Sequence, residues 1–167
     1  PMTLTIIGFG EAGQAIAEGL LSEAHPPSIA CFDIKTLDPS QAGGIEQAAE
    51  RLCVCNTGSL SEALAGAEFI ISTVTAGSAL DVAHAVAALK PDARAFFDMN
   101  SVAPSTKQTE AGVLEAVGVA YIDTAVMAPI HPRLHRTPML LAGPQAEALG
   151  HVLADWGMDA RVVGAEV

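Results

Sequence analysis

The chain has 167 residues, half of them hydrophobic and only 16% charged, with a net charge of −11. That length suits one domain with enough core to fold alone, and the composition excludes a disordered chain. The positive charge is too sparse for a nucleic-acid partner, no apolar run is long enough to span a bilayer, and the opening residues lack the pattern of a secretory signal.

In chain order, an apolar β-branched strand at residues 4–7 runs into Gly8, Phe9, Gly10, Glu11, Ala12 and Gly13, and residues 12–21 then read as a helix. This is a Gly-x-Gly-x-x-Gly run in the setting where it binds dinucleotides. Gly8 allows the tight turn, Gly10 lets a pyrophosphate approach the backbone, and Gly13 lets helix and strand pack closely. The helix N-terminus directs unpaired N–H groups at that phosphate. A second strand at 29–33 ends on Asp33, about twenty residues after the last glycine, where an acid accepts hydrogen bonds from the adenine ribose and repels a 2′-phosphate. The pattern leans to NAD; Lys35 and Thr36 leave NADP open, because a cation there could serve a 2′-phosphate. The plainer alternative is a strand-to-helix turn with a helix-capping acid.

Residues 47–52 look helical and 53–56 form a short strand. There Cys53, Val54 and Cys55 read as alternating strand positions rather than a metal or redox pair, since no second Cys/His cluster completes a site. The three cysteines, Cys31 included, are an odd, sparse set that suits a reducing cytoplasm. Ser59 with Glu62 forms a capping box for a helix reaching about Leu64. A buried strand follows at 69–74, an alanine-rich helix at 78–89 stopped by Pro91, and a fifth strand at 94–98. Pro104 sits early in the next helix, where its missing N–H costs nothing. Strands at 119–123 and 139–142, a helix at 145–155 and a last strand at 160–163 complete the chain. This alternation predicts one α/β domain over 1–167, a doubly wound, mostly parallel sheet of about eight strands of the Rossmann type.

Ligands of such a sheet bind beyond the carboxyl ends of its strands. Three loops besides the glycine run meet that condition. Thr73, Val74 and Thr75 end the fourth strand with room for the nicotinamide-side ribose. Asn100 and Ser101, after the fifth, could bind a carboxamide or substrate hydroxyl, and Ser101 equally suits a helix cap. The segment from Asp123 through Met127 to Arg136 gathers His131, Arg133, His135 and Arg136. Its arginines could recruit an anion. The histidines read by default as surface residues, and Pro132 between them argues against a metal pair. Hydride transfer to or from an alcohol needs a general acid/base. Lys35 lies at the adenosine side and Lys107 is expected to face solvent, so neither is a convincing proton shuttle; His131 is conceivable in that role.

These residues resemble the NAD-binding domain of the β-hydroxyacid dehydrogenases, the group of 6-phosphogluconate and 3-hydroxyisobutyrate dehydrogenases. The likeness is carried by the Gly8–Gly13 loop, the strand end at Ser72 to Thr75, Asp98-Met99-Asn100-Ser101 with Pro104, and the Asp123 loop followed by Thr137 to Gly143. Glu11-Ala12, Asn100-Ser101 and Val126-Met127-Ala128-Pro129 are similar to a branch described as 6-phosphogluconate dehydrogenase-like. The resemblance implies hydride transfer between a nicotinamide cofactor and a small hydroxy acid, with Asn100, Ser101 and Met127 on the substrate side. Two departures limit it. Met127-Ala128-Pro129 stands where the family usually has Ser-Gly-Gly, which makes 6-phosphogluconate itself a doubtful substrate. The family's catalytic lysine lies on a C-terminal helical domain that these residues do not include, so the chain alone is expected to bind cofactor without appreciable turnover. A stand-alone nucleotide-binding or redox-sensing module and an imine reductase-like enzyme are the alternatives. A homodimer is left open.

Overall fold

The computed structural model describes residues 2–167. Eight strands form one sheet in the order β3-β2-β1-β4-β5-β6-β7-β8. They are β1 (Thr3–Ile7), β2 (Ser28–Phe32), β3 (Cys55–Asn56), β4 (Phe69–Ser72), β5 (Ala95–Asp98), β6 (Ala120–Val126), β7 (Met139–Ala142) and β8 (Ala160–Gly164). The first six run parallel; β7 is antiparallel to β6 and parallel to β8. The expected doubly wound α/β sheet of about eight strands is therefore observed, with β1 and β4 flanking the point where strand order reverses, the position of a ligand crevice in such sheets.

The central strands are apolar on both sides because helices cover both faces. Leu4 and Ile6 of β1, Phe69 and Ile71 of β4, and Phe97 of β5 pack on one face with Ile16 and Leu20 of α1 (Glu11–Leu21) and Ile45 of α2 (Ala42–Leu52). Ile7, Ile70, Phe96 and Tyr121 face the other way, onto Val86 of α4 (Ala79–Leu89) and Leu114 of α5 (Pro104–Glu115). The short α3 (Leu60–Leu64) forms half of the expected capping box: Ser59 Oγ accepts the Glu62 N–H, while Glu62 Oε2 reaches past Ser59 to accept the Gly58 N–H.

Several boundaries differ from the sequence reading for physical reasons. The helix read at 47–52 begins at Ala42. Cys53 is not a strand residue but the left-handed cap of α2, at φ 57°, which leaves only Cys55–Asn56 as β3. β4 ends at Ser72, because the Val74 N–H turns to the Asn100 side chain and not to a neighbouring strand. β6 continues to Val126, since its antiparallel ladder with β7 extends from Asp123↔Ala142 to Val126↔Met139, so residues 124–126 are strand where a loop was expected. The helix at 145–155 divides at Gly150 into α6 (Ala146–Leu149) and α7 (His151–Asp155). No helix among the described residues is long and apolar enough to cross a membrane.

Candidate functional site

The turn from β1 into α1 is made by backbone packed against backbone. Gly8 has φ +88°, and a Cβ there would lie 2.3 Å from the Thr73 carbonyl oxygen; a Cβ on Gly13 would lie 2.2 Å from that of Gly8. Gly10 differs: a Cβ there would meet nothing within 4 Å. Gly10 is also the N-cap of α1, and no side chain caps that helix. Its first turn of amides thus opens onto space the glycine leaves clear, with the positive dipole end behind it. Side chains clamp the loop from three directions. Thr73 Oγ1 donates to the Gly8 carbonyl at 2.8 Å, Gln14 Nε2 donates to the Phe9 carbonyl at 2.9 Å, and Asp33 Oδ2 accepts the Phe9 N–H at 2.7 Å.

Beyond the β1 and β4 ends lies a cleft of about 740 Å³. Gly8, Gly10, Glu11, Ala12, Asp33, Thr73, Val74 and Thr75 line it, eight of the sequence-derived cofactor positions brought together. Phe9 and Gly13 support the cleft without lining it: the Phe9 side chain is buried in the core, and Gly13 packs on the turn. Asp33 does more than line the wall. Its two oxygens accept the Phe9 and Lys35 N–H groups, so the carboxyl is fixed in orientation while it also caps a short 3-10 turn. The capping and ribose readings of this acid are compatible. Exposed Ile34 and Leu37, with Leu60 and Val82, add an apolar wall at that end which the motif did not indicate.

The β5 end is built from side chains. Asn100 is buried: its Oδ1 accepts the Val74 N–H at 2.7 Å, its Nδ2 donates to Ser72 Oγ at 3.0 Å, and its own N–H donates to Asp98 Oδ1 at 2.9 Å. Asn100 therefore holds the β4–α4 loop in place from behind, and one Nδ2 hydrogen is left over. Ser101 and Met127 are exposed and lie outside the cleft lining, and Ser101 does not cap α5, whose N-cap is Ala103.

The basic residues after β6 are dispersed. His131 approaches Glu11 at 3.7 Å, at the start of α1. His135 is a correction to the expected surface histidine. It is buried, with Nε2 2.7 Å from Glu23 Oε1 beyond the other end of α1, and Gly19 has no side chain because the His135 ring occupies the space. Arg136 binds the same Glu23, whose carboxyl is held below its usual range chiefly by the His135 hydrogen bond and also by the Arg136 charge. His131 and His135 thus take different partners, and Arg136 is committed away from the cleft.

Lys107 is a second correction. It does not face solvent but pairs with Asp123, its side chain only 13% exposed. A third lysine, Lys90, was not weighed as a proton shuttle; it caps the far end of α4. Tyr121 and Glu110, both fully buried, were missed as well; the Tyr121 hydroxyl donates to Asp98 Oδ2 and lies 3.3 Å from Glu110 Oε2. A signal for Glu110 existed: it occupies the same helical stripe as the buried Ala111 and Leu114, where an acid is unexpected. Cys31 is buried and its thiol pushed up to about 12, first by burial, which removes it as a redox nucleophile.

A family model described as the NAD binding domain of 6-phosphogluconate dehydrogenase matches residues 3–163. Among solved structures, a conserved hypothetical protein from Sinorhizobium meliloti 1021 is 32% identical with a TM-score of 0.88, over 98% of this chain and 54% of that one. The 3-hydroxyisobutyrate dehydrogenase of Mycobacterium tuberculosis, solved with L-serine, is 18% identical with a TM-score of 0.76, over 99% and 55%. An imine reductase variant from Myxococcus stipitatus, solved with NAD+, has the same identity and TM-score over 98% and 55%. The last two likenesses show a shared fold. The chain spans about half the length of these structures. No curated protein sequence gave a significant match.

Proposed function

The chain belongs to the family of the NAD-binding domain of 6-phosphogluconate dehydrogenase, and from that membership we propose that it holds the nicotinamide cofactor of a hydroxyacid dehydrogenase-like oxidoreductase in the cleft beside Gly10. The observation that carries this reading is the open space at Gly10, in front of an uncapped helix N-terminus and opposite the fixed carboxyl of Asp33. A pyrophosphate needs that space and those amides; a turn with no ligand needs neither. When bound, the cofactor supplies hydride transfer to or from a small hydroxy acid.

Each wall has its own part. The α1 amides bind the pyrophosphate, and Asp33 receives the adenine-ribose diol, which favours NAD over NADP although Lys35 also lines the cleft. Thr73, Val74 and Thr75 flank the nicotinamide-side ribose. Asn100 positions that wall, and Ser101 and Met127 lie on the substrate side. A general acid/base from outside these residues is the expectation, supported by Lys107 being engaged by Asp123, Lys35 standing at the adenosine end and Lys90 at the far end of α4. A cytoplasmic location fits the free cysteines. The imine reductase likeness equals that to the hydroxyisobutyrate dehydrogenase, so a cyclic imine is the second substrate class to assay.

Titrating NADH and NADPH by fluorescence tests the reading. NADH should bind more tightly. A tenfold preference for NADPH would remove the role given to Asp33, and failure of both to bind would end the cofactor assignment.

A further inference from the structure

Behind the β5 end of the cleft, three polar side chains meet in an otherwise apolar layer. Asp98 at the end of β5, Tyr121 on β6 and Glu110 on α5 are each fully buried. The Tyr121 hydroxyl sits between the two carboxyls, donating to Asp98 and lying 3.3 Å from Glu110, while Glu110 Oε1 has no partner. A hydroxyl carries one proton, and Asp98 takes it. Glu110 therefore makes a favourable contact only when its own carboxyl carries a proton to give. From Asp98 the connection continues to Asn100, and from Asn100 to the buried Ser72 and to the N–H of Val74 on the cleft wall.

We propose that Glu110 is a positioning residue for the cofactor site: a proton held on its carboxyl keeps Asp98 and Tyr121 in register, and through them fixes Asn100 and the Val74 wall. Its link to the cofactor rests on the function proposed above; its link to Val74 does not. Burial, followed by the hydrogen bond and charge of Asp98, pushes the Glu110 carboxyl from its ordinary 4.5 up to about 8, so the proton is retained at neutral pH. The groups facing it are Asp98 from β5, Tyr121 from β6, whose hydroxyl opposes the rise, and Lys107 one turn earlier on α5, whose charge opposes it less; Asp123 on β6 pairs with Lys107. α4 presents the apolar Ala83 and Val86 to this layer, and its Asp81 and His84 are exposed. Above pH 8 the ionised Glu110 faces Asp98 without a shared proton, and α5 is pushed away from the end of β5.

The sign of the stability effect follows. The native chain holds this proton more tightly than the unfolded chain, so the contribution is complete below about 4.5 and is lost as pH rises to about 8. In E110Q the amide supplies a proton that cannot leave, so the decline should flatten.

Three measurements test the proposal. In wild-type protein, the ¹³C resonance of the Glu110 carboxyl should titrate near pH 8, and the Val74 and Asn100 amide resonances should shift with the same midpoint. In E110Q the amide shifts should disappear. NADH affinity should weaken severalfold between pH 7 and pH 9 in wild type, and at least half of that change should vanish in E110Q. A Glu110 carboxyl titrating near 4.5 overturns the proposal, and so do amide or affinity profiles identical in the two proteins. The carboxyl measurement needs no variant and so survives a misfolded E110Q. If neither NADH nor NADPH binds at any pH, the cofactor reading fails, while the Val74 resonance still decides the coupling.

Discussion

At the β1 end of the cleft the shape is made by backbone pressed on backbone, Gly8 against Thr73 and Gly13 against Gly8. At the β5 end it is made by buried side chains, Asn100 on Val74 and Ser72, with Asp98 and Tyr121 behind it. The two methods fail differently. A backbone contact has no room for an extra carbon, and nothing nearby can rotate away. A side-chain contact loses one hydrogen bond when a partner is removed, and its neighbours can turn to other partners or to water.

The largest expected effect is therefore at Gly13. Gly13→Ala puts a methyl 2.2 Å from the Gly8 carbonyl, and the loop must move as a unit; destabilisation on the order of 3 kcal/mol is expected in urea unfolding. A loss below about 1 kcal/mol would show that the turn yields, and would break the contrast. Gly10→Val sharpens it from the other side. With φ −79° and open space for a Cβ, the backbone accepts a side chain there, and one fills the pyrophosphate's place. NADH binding should weaken by at least about 100-fold, equivalent to roughly 2.7 kcal/mol, while the urea midpoint stays unchanged. Normal binding by that variant would reduce the glycine run to a turn.

At the β5 end the expected change is smaller. Tyr121→Phe removes the proton that Asp98 accepts and leaves a cavity no larger than a hydroxyl. About 1.5 kcal/mol is expected, read as a lower urea midpoint. If Tyr121→Phe costs as much as Gly13→Ala, the side-chain end is as unforgiving as the backbone end and the distinction fails.

The same distinction governs what was legible in the sequence. A backbone approach under 3 Å admits one residue type, so Gly8 and Gly13 are written in the chain, as is the space at Gly10. Asp33 was legible because it closes a strand at the spacing the ribose requires. The β5 cluster was not, because its members are separated by 23 residues between Asp98 and Tyr121 and 11 between Glu110 and Tyr121, and they meet only once β5, β6 and α5 have packed. Lys107 read as a solvent-facing charge because most helical charges are, and Glu110 was passed over on the same helix. His135 was misread for the same reason: Glu23, the partner that buries it, lies 112 residues away. The antiparallel β7 extended β6 past its expected end, a pairing that local alternation does not encode.

The smallest prediction separates glycines that do a job from those that do not. Gly112 lies within α5, exposed, and a Cβ there would meet nothing within 4 Å. That is the same open space found at Gly10, but on a solvent face far from any strand end, with helical backbone on both sides. An alanine there restricts the unfolded chain and favours the helix, so Gly112→Ala should raise stability by about 0.5–1 kcal/mol. NADH affinity should not change, because the substituted face points away from Glu110 and the β5 end. Open space around a glycine is thus not in itself a sign of a ligand; it becomes one at Gly10 because uncapped amides and a fixed carboxyl face it. A drop in NADH affinity in Gly112→Ala would mean that α5 transmits small changes to the cleft along its whole length, and not only through the Glu110 contact.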